Sequence, residues 1–291
     1  MKRPNGVAGA EGAAGFDPAG LLRVREGFQL ADVDPNSTPG FDGGKDEGAQ
    51  LLASEDDQLS ELQERLFAQS RSGVTGAVLL VLQAMDTGGK GGIVRHVIGA
   101  VDPQGVKHKA FKAPTEEERA HGFLWRVQKE LPPDGIIGVF DRSHYEDVLI
   151  HRVRGLSPLA EVEQRYAMIN EFEAKVAASG TRILKVMLHI SKDEQKKRLR
   201  ERLDRPDKYW KYNPGDVDER AFWDEYQHAY QLVLDRTSTD AAPWYVVPAN
   251  RKWYARIAVQ QLLIGALAAV DPQWPPATFD VELEKRRLEA S

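Results

Sequence analysis

The chain has 291 residues, 42% of them hydrophobic and 29% charged, which is ordinary globular usage and excludes a wholly disordered chain, a collagen or a coiled-coil rod. Its 39 bases against 44 acids give a net charge of −5, which counts against a general nucleic-acid or membrane-surface binder. There is no cysteine, so disulfide scaffolds, thiol catalysis and cysteine-ligated metal sites are excluded.

In chain order, residues 1–20 are rich in Gly and Ala and read as a disordered leader. Met1-Lys2-Arg3 precedes no apolar run, so no signal peptide is expected. Residues 21–50 set Phe28, Leu30 and Val33 among turn formers such as Asp34-Pro35 and Pro39-Gly40, and read as an extended arm. Leu51–Gln69 has helical periodicity. Gly76–Gln83 is a continuous apolar run, the mark of a strand buried on both faces of a parallel sheet. Lys107–Phe111 is a weaker strand, and Thr115–Glu130 a helix opened by a Thr115/Glu118 capping box. Ile136–Phe140 is a second buried strand. A helix starts at Ser157-Pro158 and keeps Leu159, Val162, Tyr166, Ile169, Phe172 and Val176 on one face. Arg182–Ile190 is a strand, followed by a helix to about Leu203 with a Ser191/Glu194 capping box. Trp244–Pro248 is the last strand, and Arg251–Val270 the last long helix. Both of the longest apolar stretches, Val74–Met85 and Ile257–Val270, fall short of the roughly 20 residues that span a bilayer. The expected fold is α/β, a parallel sheet between helical layers, with ligands at the C-terminal strand ends. A main domain over 51–275, a lid at about 200–223 and a tail over 276–291 complete the expected layout.

The segment after the first buried strand is Ala84-Met85-Asp86-Thr87-Gly88-Gly89-Lys90-Gly91-Gly92. Glycines in a strand-to-helix turn let backbone N–H groups surround a phosphate, and a lysine there reaches its oxygens. Thr87, Gly88, Gly89 and Gly91 are the candidate cradle, with Lys90 at its centre and Arg95 one turn into the helix. The match to the standard phosphate loop is incomplete. Ala84 replaces its first glycine, and Gly91 replaces the hydroxyl residue that usually holds magnesium. Asp86 is the candidate substitute, because Mg²⁺ favours carboxylate oxygen.

The second buried strand ends in Asp141-Arg142-Ser143-His144-Tyr145-Glu146-Asp147. Asp141 stands where a metal-binding acid of phosphoryl-transfer enzymes stands, and Arg142 suits a phosphate; helix-capping acid and surface arginine is the plainer alternative. His144 reads as structural. Between Lys192 and Lys211 bases outnumber acids. Lys196, Lys197 and Arg200 read as a solvated helix face. Arg205, Lys208 and Lys211, in a segment with Pro206, Tyr209 and Trp210, suit a mobile basic lid. Lys112 is a further basic candidate, and Arg251 to Arg256 after the last strand either contact ligand or cap a helix.

Taken together, these motifs resemble the polyphosphate kinase 2 family. The resemblance runs from about Leu30 to Pro275 and rests on five segments: Gln83 to Lys90, Phe111 to Thr115, Phe140 to Leu149, Arg205 to Lys211, and Pro248-Ala249 with Lys252-Trp253-Tyr254. It implies a phosphate-loop kinase fold with a lid, and Mg²⁺-dependent phosphoryl transfer between inorganic polyphosphate and ADP/ATP. It also implies a homo-oligomer, while the acidic balance, the short apolar stretches and the lack of a signal peptide lead to the expectation of a cytoplasmic protein with no nucleic-acid or membrane partner. By this match Asp86, Lys90, Asp141, Arg142 and Glu146 are the catalytic core, and Asp86 and Asp141 hold the metal. Lys112, Arg205, Lys208, Trp210 and Lys211 would contact phosphate or nucleotide. The Glu146 run resembles the branch that also takes AMP, whereas Asp141 is more typical of diphosphate-using branches. Two rivals stay open: an ATP-dependent nucleoside or nucleotide kinase, whose standard loop is absent here, and a non-enzymatic polyphosphate binder, which would not need two acids at Asp86 and Asp141.

Overall fold

In the computed structural model, which describes residues 16–291, five strands form one parallel sheet. They are β1 Ala77–Ala84, β2 Val106–Ala110, β3 Ile137–Asp141, β4 Thr181–His189 and β5 Trp244–Pro248, in the order β2-β3-β1-β4-β5. β1 is buried along its whole length because β3 and β4 flank it and helices cover both faces. All five expected strands are present, shifted by a residue at most.

Helices Lys45–Ser54, Asp56–Ser70, Lys90–His96 and Lys252–Ala268 pack together as one layer. Leu159–Ala178 and Trp223–Thr237 form the other. The architecture is thus the expected three-layer α/β/α. Parallel strands place every C-terminal end on one side, so the loops after β1, β2, β3 and β5 gather there.

Several local expectations change. The helix expected from Leu51 begins at Lys45, where the Glu47 carboxylate accepts from the Gly44 amide at 3.1 Å. It also breaks at Glu55, because Gln260 Nε2 reaches in and donates to Leu52 O at 3.0 Å and Asp56 Oδ1 at 2.8 Å. The helix expected over 115–130 is two short ones, Glu116–Arg119 and Trp125–Gln128. The Thr115/Glu118 box forms, but Gly122 interrupts the run and Phe123 and Leu124 turn toward the core. The Ser191 box is only half made. Ser191 Oγ accepts from the Glu194 amide at 3.1 Å, while the Glu194 carboxylate is taken by Arg198 and the Ser191 amide by Asn250.

The expected leader lies outside the described residues up to residue 15. Pro18–Leu22 is helical, capped by the Asp17 side chain. The arm over 21–50 is not uniformly extended, since it holds a 3-10 turn at Leu30–Asp32 before the Lys45 helix. Val24 donates to Trp244 O at 2.8 Å and so covers the open edge of β5. Phe16 packs edge-on against Phe41 and Tyr254, and Phe41 packs tilted against Trp253 of the last long helix. The tail over 276–291 carries a helix, Val281–Glu289. No described helix is long and apolar enough to cross a membrane.

A charged residue sits in the middle of β4. Lys185 is fully buried, and its Nζ donates to Glu173 Oε2 at 2.5 Å, Tyr145 Oη at 2.8 Å and Thr237 O at 2.7 Å. Three acceptors use all three ammonium protons. Tyr145 in turn donates to Glu173 Oε1 at 2.7 Å, and His144 Nε2 lies 3.1 Å from the same oxygen. Burial pushes Glu173 up, but Lys185 and His144 outweigh it and keep the carboxyl below its usual range. His144 is buried within this network.

His189, at the end of β4, has its pKa pulled down to about 4 by burial. Unfolding releases this ring to its ordinary value near 6.5, so the unfolded chain binds an extra proton between those values. Stability from this site is complete above pH 6.5 and falls as pH drops toward 4, by up to about 3 kcal/mol. Thermal melts over this range should show His189→Leu less acid-sensitive than the parent; parallel curves would refute the assignment.

Candidate active site

The turn after β1 is held by backbone that few sequences can adopt. Thr87 has φ +62° and Gly89 φ +118°. At Gly88 any Cβ would collide with Ala84 and with the Met85 carbonyl, so only glycine fits. Gly88 N donates back to Met85 O at 2.9 Å and tightens the loop. Lys90 opens the next helix, and its Nζ folds back to 3.3 Å from Ala84 O. Burial lowers the Lys90 pKa, and Asp141, Asp86 and Glu146 pull it back toward the charged form.

β3 delivers the opposing residues. It pairs with β1 so that Asp141 lies beside Leu82, just before the loop. The next residue, Arg142, takes a left-handed backbone with φ +62°, which turns its side chain onto the loop. Its Nη2 donates to Asp86 Oδ1 at 2.9 Å. Burial alone would weaken the Arg142 charge, but Glu146, Asp86 and Asp141 outweigh it and raise its pKa. Glu146 follows one turn later. Burial pushes its carboxyl up, against the pull of Arg142 and Lys90. With its amide nitrogen toward Glu146, Gln83 donates to Glu146 Oε1 at 3.0 Å while its oxygen accepts from the Ser143 amide at 3.2 Å.

Two cavities meet across the Asp86–Arg142 pair. The larger, about 590 Å³, is lined by Asp86 to Gly91, Arg95, Lys112, Asp141, Arg142, Arg205, Lys208 and Lys211. The smaller, about 350 Å³, has Glu146 and Arg142 with Pro114, Leu149, Leu156, Tyr226 and Tyr230. Asp86, Lys112, Arg142, Asn213 and Asp216 line both. Of the residues expected at the site, only Trp210 lines neither cavity. It is 78% exposed, with Nε1 donating to Asp207 O at 3.1 Å and Lys211 stacked over its ring. The 3-10 turn Pro206–Lys211 points the indole outward while its cations face the cavity. Arg205 grips Asp207 with two hydrogen bonds of 3.1 and 2.8 Å, so the lid segment is internally braced.

The family model for Polyphosphate kinase 2 (PPK2) matches residues 43–275. The chain belongs to the polyphosphate kinase 2 family. It is similar to the crystal structure of polyphosphate kinase 2 from Arthrobacter aurescens TC1, with 60% identity, a TM-score of 0.93 and coverage of 95% of this chain and 98% of that one. It is 47% identical over 248 residues to the AMP/ADP-polyphosphate phosphotransferase of Meiothermus ruber, covering 85% of this chain and 91% of that protein. It is 41% identical over 271 residues to the ADP-polyphosphate phosphotransferase of Rhodopseudomonas palustris, covering 88% and 92%.

This polyphosphate kinase 2 chain also brings residues to the site that the sequence reading passed over. Arg202, Asn213 and Asp216 line the larger cavity, and Arg198 lies beneath the loop; Lys252 and Arg256, which also line it, belong to the Arg251 to Arg256 run already set between ligand contact and helix capping. A signal for Arg198 was present. Gln195, Arg198, Leu199 and Arg202 recur at helical spacing, and the first three are buried, whereas Lys196, Lys197 and Arg200 are exposed as expected.

Proposed function

We propose that the protein transfers the terminal phosphoryl group of inorganic polyphosphate to ADP and to AMP, and runs the reverse reaction with ATP. The observation that carries this reading is the meeting of two unlike cavities at one Asp–Arg pair. The larger is rimmed by cations from four loops and the lid, which suits a polymer with about one charge per phosphate. The smaller adds Tyr226, Tyr230, Pro114 and Leu149, an apolar wall for a nucleoside, to the polar pair. Two phosphate chains entering from the two sides would meet beside the Asp86–Arg142 pair. The names of the relatives from Meiothermus ruber and Rhodopseudomonas palustris support the same substrates.

The nucleophile, a terminal phosphate oxygen of the nucleotide, is already ionised, so positioning and charge neutralisation govern the rate rather than a strong base. Lys90 and the loop amides would neutralise the transferring group, and Arg142 would orient it from the acceptor side. The lid cations Lys208 and Lys211 would close over the polymer. Asp86 and Asp141 fit Mg²⁺. They are hard oxygen donors on adjoining strand ends, Asp86 commits only Oδ1 to Arg142, and the Asp141 carboxylate has no hydrogen-bond partner among the described residues. When bound, the ion would screen charge between the phosphate chains. The decisive assay mixes the protein, Mg²⁺ and long-chain polyphosphate with ADP or AMP, without ATP, and separates the nucleotides by chromatography. ATP from ADP, and ADP from AMP, are expected. No product from either would overturn the reading.

A further inference from the structure

Two side chains of helix Lys192–Leu203 hold three consecutive carbonyls of the glycine-rich loop. Gln195 Nε2 donates to Asp86 O at 3.1 Å. Arg198 Nη1 donates to Thr87 O at 3.0 Å and Gly88 O at 3.1 Å. Arg198 is only 4% exposed, and its remaining N–H groups are also taken. Nη2 donates to Ala249 O and Asn250 O beyond β5, and Nε donates to Glu194 Oε1 at 2.8 Å. All five guanidinium protons therefore have acceptors, four of them main-chain carbonyls. Gln195 is fixed from behind, since its Oε1 accepts from Arg220 Nη1 at 2.8 Å.

The effect on the loop follows from peptide geometry. In a trans peptide the carbonyl and the next N–H point in opposite directions. Drawing the carbonyls of Asp86 and Gly88 down onto the helix turns the amides of Thr87 and Gly89 up toward the cavity. Neither amide has an acceptor among the described residues. Thr87 holds its positive φ against the ordinary preference of a β-branched residue, so the form needs an external hold.

We propose that Gln195 and Arg198 are positioning residues that keep the loop in its anion-receiving form, with its amides presented to the phosphate chain. The proposal rests on the phosphate-transfer reading above. Gln195 lines neither cavity, and Arg198, which borders the larger one, is buried with every N–H already committed, so each acts through the loop.

The test is calorimetric titration of inorganic tripolyphosphate into the parent, Gln195→Met and Arg198→Lys, with thermal melts of each. Methionine keeps the volume of Gln195 without the donor. Lysine keeps the charge at 198 but cannot span two pairs of carbonyls. Tripolyphosphate affinity should fall about tenfold in each folded variant, as expected for losing a hydrogen bond to the loop form, and KM for polyphosphate should rise while KM for ADP stays within about twofold. A purely structural role would lower the melting temperature and leave the affinity of folded protein unchanged, and that result overturns the proposal. If Arg198→Lys does not fold, Gln195→Met decides alone. Parent protein that binds no tripolyphosphate would instead overturn the phosphate-transfer reading beneath it.

Discussion

Lys90→Ala should give a folded protein with turnover reduced by about 10³-fold or more. Lys90 opens the helix after the loop and lines the larger cavity, and three carboxylates, Asp141, Asp86 and Glu146, act to keep it charged despite its burial. Arg142 cannot replace it, because that guanidinium is held on Asp86. Stability should change by no more than about 1–2 kcal/mol, since the single hydrogen bond lost is the 3.3 Å contact to Ala84 O. Initial rates with ADP and polyphosphate, beside a thermal melt, check both parts. A variant with near-parental turnover would remove Lys90 from the site.

Asp86→Asn should lower kcat by about 10²-fold and shift the Mg²⁺ requirement to higher concentration. The substitution preserves size and an acceptor for Arg142 but removes the charge that balances Lys90 and Arg142 and that suits a divalent cation. Two groups that now face one carboxylate would face none there, so the arginine should seek Glu146 or Asp141 instead. Rates measured across a Mg²⁺ titration at saturating polyphosphate distinguish this from a packing defect. An unchanged Mg²⁺ midpoint would assign the metal to Asp141 without Asp86.

Much of this site was legible in the sequence because its chemistry is local. The apolar runs of β1 and β3 each lead directly into a polar segment, so Asp86, Lys90, Asp141 and Arg142 follow from strand ends alone. Lys208 and Lys211 could be read from the lid because proline and aromatics set them apart from an ordinary charged helix. The same cue does not say which way a 3-10 turn faces, so the outward position of Trp210 is not legible from it. Arg198 escaped for a different reason. Its partners at Thr87, Gly88, Ala249 and Asn250 come from loops far away in the chain, and nothing near residue 198 marks them. The break at Glu55 is equally remote, since it depends on Gln260. The split within 115–130 has a local cause, the glycine at 122 inside a run of good helix formers.

The lysine in the middle of β4 also bears on how the chain finds its pairing. Side chains alternate along a strand, so a slip of one residue against β1 would carry Lys185 through the sheet to the opposite face. There it would leave Glu173, Tyr145 and the Thr237 carbonyl without a donor and strand an ammonium among apolar side chains of the Lys252–Ala268 layer. Neighbouring Leu184 and Val186 could tolerate that exchange, since they are simply apolar. The ion pair thus acts as a register lock for the central sheet. Because β1 and β4 together carry the glycine-rich loop and the helix beneath it, the lock also fixes the height at which those two meet.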